Sequence, residues 1–97
     1  MRLIGKFEIL DSIKITGRGL VARGNIIEGK VKIGAYLTIN TGTTNIILRI
    51  SAVEMMDKIS TRESWVGLMF VYNSKKEQDE FENIKLPIQT IDILDND

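Results

Sequence analysis

Apolar residues never keep a helical period for more than two turns in this chain; the dominant period is two, cut at short intervals by glycine. Phe7, Ile9, Ile13 and Ile15 alternate with Glu8, Asp11, Ser12 and Lys14, as a strand with one buried face requires. Residues 20–27 (LVARGNII) follow, rich in β-branched side chains, and Gly24 within them is expected to bend a long strand. Glu28-Gly29-Lys30 is a turn signal, Val31-Lys32-Ile33 before Gly34 reads as a three-residue strand, and residues 36–39 read as another. Residues 46–50 run on to Met55, a polar stretch covers 57–64, and residues 65–72 return to an apolar strand pattern. The charged run 75–82 suits a single helical turn and is too short and polar to stand as an independent helix. Residues 88–94 alternate again, and the acidic end 95–97 is expected to fray. Some six short strands between glycine turns, with no linker or low-complexity tract, predict one all-β domain over 1–97, its core within about 6–94, as a barrel or sandwich.

What the chain lacks narrows its chemistry. With no Cys there is no disulfide framework, thiol nucleophile or Cys-based metal site. With no His there is no imidazole base and no His-ligated metal. No G-x-x-x-x-G-K-[ST] loop is present to cradle a phosphate. The carboxylates Asp11 and Glu54 are the one pair considered for acid–base work, and nothing else in the sequence suggests a substrate cleft. The chain therefore reads as a binding domain rather than an enzyme, with no cofactor and no metal. Residues 77–82 lack the regular acidic spacing and glycine of a calcium loop and read as a solvated charged turn. No signal-peptide pattern follows Met1, which reads as the start of a complete short chain, and the longest apolar run is residues 68–72, so a cytoplasmic protein without a membrane segment is expected.

Thirteen basic residues balance thirteen acidic ones, yet they are not evenly spread. Residues 1–50 hold eight basic against three acidic groups and residues 51–97 five against ten. The basic surplus falls around the glycine-rich words of the first half, which leaves nucleic acid open as a partner despite overall neutrality.

The words Phe7-Glu8-Ile9, Asp11, residues 15–24 (ITGRGLVARG), Ile26, Gly29, residues 31–34 (VKIG) and 37–39 (LTI) resemble the β-barrel domain 2 of translational GTPases of the elongation factor Tu type. Val53-Glu54-Met55, Val66-Gly67-Leu68 and Leu86-Pro87-Ile88 continue the likeness over nearly the whole chain. Its specificity rests on the ordered glycines Gly17, Gly19, Gly24, Gly29, Gly34 and Gly67. The resemblance implies a small closed antiparallel β-barrel, standing here without its GTPase. Departures are Ala35 where an acidic residue is common, and Asn83 to Pro87 where a glycine usually leads into the closing strand.

That family's domain 2 helps to hold the aminoacyl end of tRNA, at positions matching Asp11, Ile13, Glu54 and Trp65. Ile13 replaces a stacking aromatic and Trp65 a small amide, so the indole is expected to fill much of that pocket. Family barrels also touch ribosomal RNA, and Arg18 between two glycines suits a phosphate clamp, with Arg23, Lys30 and Lys32 extending the patch. The competing reading makes Ile13 core, packs Trp65 across a barrel end, leaves the Asp11 and Glu54 carboxylates solvated, gives Arg18 a structural salt bridge or a loop carbonyl to cap, and leaves Arg23, Lys30 and Lys32 out of any patch. Trp65, Phe70 and Tyr72 read either as a base-stacking platform or as core. Two functions follow: a non-catalytic module on tRNA, rRNA or the ribosome, or a protein-interaction adaptor that mimics a translation factor and binds no nucleic acid.

Overall fold

The alternation of residues 7–15 becomes part of β1 (Arg2–Ile15) in the computed structural model, which describes residues 1–58 and 63–96. After it come β2 (Gly19–Gly29), β3 (Tyr36–Asn40), β4 (Asn45–Lys58), β5 (Glu63–Val71), the helix α1 (Lys75–Glu82) and β6 (Gln89–Asp95). All pairings are antiparallel and the sheet closes on itself in the order β1-β2-β5-β4-β3-β6. The fold is thus a small all-β barrel, the closed member of the two architectures that the alternation allowed. Closure removes long exposed edges from a chain rich in Ile and Val. Phe7, Ile9, Leu37, Ile39, Leu68 and Ile93 point inward and are at most 1% exposed.

The β1–β2 hairpin turns through Gly17 and Gly19, whose φ values of 82° and 90° favour glycine, while Arg18 donates its main-chain N–H to the Ile15 carbonyl at 2.9 Å. Gly24 sits opposite a bulge. Strand β2 runs through it unbroken, and the irregularity lies opposite, in β1, where Leu10 has no partner between Ile9 and Asp11. The backbones approach so closely there that a Cβ on Gly24 would run into the Glu8 carbonyl.

Three other expectations change. Residues 31–33 form no strand; the chain reverses through Gly34, whose N–H donates to the Ile50 carbonyl at 2.8 Å, before β3 begins. Asp95 does not fray: it is the last residue of β6, 9% exposed, opposite Arg2 and bound by the Lys32 ammonium at 2.7 Å. The ammonium is also the main reason why the Asp95 carboxyl is held below its ordinary value. The charged run forms a two-turn helix over Lys75–Glu82 rather than one turn. Ser74 caps it by accepting the Glu77 N–H at 3.1 Å, and Phe81, 1% exposed, enters the core cluster. Of the polar stretch 57–64, residues 57–58 end β4 and 63–64 begin β5; residues 59–62 lie outside the described residues.

Closure between β3 and β6 is thin, a single ladder pair at Tyr36 and Leu94. Gln89 supplies a second tie: its carboxamide accepts the Asn40 N–H and donates to the Asn40 carbonyl, both at 2.8 Å. One side chain thereby imitates a strand's pair of main-chain hydrogen bonds.

Candidate functional site

Four strands bring the site together on one transverse row. Asp11 on β1 lies opposite Arg23 on β2, Arg23 opposite Gly67 on β5, and Gly67 opposite Glu54 on β4. The neighbours Ala22, Val66 and Leu68 are buried in the interior, so alternation puts this row on the outer surface. Gly67 contributes no side chain, which leaves the row to two carboxylates and the arginines that reach them.

Arg23 grips Asp11 with two parallel hydrogen bonds, Nε to Oδ1 at 2.7 Å and Nη2 to Oδ2 at 2.6 Å. Its Cζ also lies 5.7 Å from the centre of the Trp65 ring, a cation–π contact on a partly exposed side chain. Arg18 reaches from the turn at the end of the same hairpin to form an ion pair with Glu54, and its Nη2 touches the Met69 sulfur at 3.9 Å. Both arginines therefore hold carboxylates within the barrel's outer face.

Asp11, Ile13, Glu54 and Trp65, which the resemblance would place in a pocket, all lie on this face. Ile13 is half-buried opposite Val21, which is fully buried yet outside the interior core cluster, so the two give the face an apolar floor. Of the basic candidates, Arg18 and Arg23 come together. Lys30 and Lys32 do not join them: Lys30 is exposed just past the far end of β2, and Lys32 is engaged with Asp95. Eleven strand residues separate Arg18 from Lys30, roughly 35 Å of extended chain. Phe70 and Tyr72 leave the stacking platform altogether, packing on Phe81 with ring centres 5.8 and 5.7 Å apart.

Arg23, chiefly through its hydrogen bond, holds the Asp11 carboxyl below its ordinary value of 3.8, and burial opposes this. The folded carboxylate is thus favoured over the unfolded one. Its contribution to stability is present above pH 3.8 and is lost as pH falls through the lower folded value. Asp11→Asn is expected to lower the unfolding free energy read from urea titration at neutral pH by about 1 kcal/mol or less, because the pair is partly exposed. The gap should close in acid; a gap that widens on acidification would contradict the assignment.

The structural ion pair that the competing reading gives Arg18 is present, whereas the carboxylates Asp11 and Glu54 are both paired; the Asp11–Arg23 pair and the Met69 contact with Arg18 were not read from the sequence. Within the row, the Asp11 carboxyl is pushed down by the cation that holds it, the opposite of the raised value that a proton donor needs. Among the described residues no helix is long and apolar enough to cross a membrane. No family model, no curated protein and no solved structure matches the chain.

Proposed function

We propose that this chain is a non-catalytic binding module whose Arg18–Arg23–Trp65 face docks a protein partner. The observation that carries the reading is Arg23, which binds the Asp11 carboxylate with two hydrogen bonds and lies over the Trp65 ring at 5.7 Å. A phosphate would meet a guanidinium whose Nε–Nη2 edge already holds a carboxylate and whose charge is already balanced. A protein interface needs no uncompensated charge, and partly exposed Arg, Trp and Met are the side chains enriched at interface cores. The resemblance of the glycine words to domain 2 of translational GTPases supports a partner from translation, with the barrel acting as an adaptor or mimic.

A second reading, contact with tRNA or rRNA, is favoured by the groove of about 530 Å³ beside the hairpin turn, lined by Lys14, Thr16 and Arg18 as well as Glu82. One experiment separates the two. The chain is immobilised and incubated with cell lysate with and without nuclease, and both retained protein and retained RNA are identified. A specific protein that survives nuclease and binds at least about tenfold more weakly to Trp65→Ala is the expected result. RNA retained at low salt, lost steeply as salt rises and abolished by Arg18→Ala, would replace the proposal with the second reading.

A further inference from the structure

Arg49 differs from the other described arginines. Arg18 and Arg23 each hold a carboxylate and Arg2 is also engaged, whereas the exposed Arg49 has no ion pair or hydrogen bond among the described residues. Strand β4 places it on the outer surface between Tyr36 on β3 and Val71 on β5, opposite both in the ladders. Ile47, two residues earlier, shares this face and is 64% exposed; Val71 is 41% exposed. An open groove of about 380 Å³ runs among these side chains and ends at Asn73. The nearest carboxylate along the chain there, Glu77, is occupied by the Asn73 main-chain and side-chain N–H groups at 3.1 and 3.2 Å.

We propose that this groove docks a short acidic peptide segment of a partner protein, one carboxylate on Arg49 and apolar side chains against Ile47 and Val71. Charge complementarity decides the occupant. A free guanidinium offers a planar fork that fits one carboxylate, and the flanking β-branched walls gain from covering apolar surface. Nucleic acid fits less well, because phosphate recognition draws on several cations and the groove lining supplies one. The groove and the Arg18–Arg23 face share no residue: Arg49 and Val71 line the groove, while Glu54 and Met69, further along the same two strands, meet Arg18. Either surface can therefore fail without the other.

The test is selection of random displayed peptides against the full chain, followed by solution titration of the enriched peptides. Enrichment of Asp or Glu beside apolar residues is expected. Binding should weaken at least about tenfold in both Arg49→Gln and Ile47→Ser, and stay unchanged in Lys76→Gln on α1. Circular dichroism confirms that each variant is folded. No enrichment, or enriched peptides indifferent to both groove variants, would overturn the proposal. So would a fluorescent oligouridine that binds the chain and is lost with Arg49→Gln.

Discussion

Gly24→Ala is expected to destabilise the barrel by about 3 kcal/mol or more, lowering Tm by roughly 12–24 °C in a domain of this size. The cost is local and unavoidable. Gly24 is paired on both sides, with Ile9 of β1 and Val66 of β5. A methyl group there meets the Glu8 carbonyl and the Ile9 Cα, which are main-chain atoms and cannot swing aside as a flexible side chain would. Relief requires β1 and β2 to separate at the bulge, which loosens the Asp11–Arg23 pair next to it. Gly34→Ala is the control. Its φ of 92° strains an alanine, but nothing lies within 4 Å of the added carbon. That variant should lose only about 1–2 kcal/mol. Thermal unfolding of the two variants side by side distinguishes close approach from backbone strain. Equal losses would show that the Glu8 contact does not govern Gly24.

The charged row was legible in the sequence to a degree that single-residue reading did not exploit. A hairpin folded symmetrically about Gly17 places Ile15 opposite Gly19, Ile13 opposite Val21 and Asp11 opposite Arg23, and these are the observed pairs. Opposite charges at matching distances from a glycine turn are thus a register signal. Glu54 carried no such signal. Its place in the row depends on β5 pairing with β2 across the barrel, a non-local contact that no local pattern encodes. The bulge at Leu10 was illegible for a related reason: alternation shows which face a residue prefers, while the extra residue is fixed only by what its partner strand can accommodate. Lys30 and Lys32 looked contiguous with Arg23 because they are close in sequence, but an extended strand carries neighbours apart at about 3.3 Å per residue. The three-residue strand expected at 31–33 failed on different grounds. Strand β2 runs on to Gly29 and Lys30 still donates to the Ile4 carbonyl, so only three residues remain before the turn at Gly34 and the chain spends them on the corner.

Phe81→Ala should produce the other large loss, about 3–5 kcal/mol, and with it the undocking of α1. Read locally, the helix has no reason to persist: eight residues cannot sustain an isolated helix, and its surface is almost wholly charged. What holds it is one side chain. Phe81 is 1% exposed, meets Phe70 edge-on at 89° and packs on Tyr72, closing the interior. Sequence periodicity could not show this, since one apolar residue in a charged run makes no period. The consequence reaches the candidate site. The adjacent Glu82 carboxylate accepts the Leu20 main-chain N–H at 3.2 Å, just past the turn that presents Arg18. Undocking α1 therefore removes that acceptor, and hydrogen exchange at the Leu20 amide should accelerate together with the helix amides. Phe81→Leu keeps most of the buried volume and should cost about 1.5 kcal/mol or less, with Leu20 still protected. Retained protection in Phe81→Ala would mean that Glu82 holds the turn without the helix being anchored, and the link from core to Arg18 would be broken.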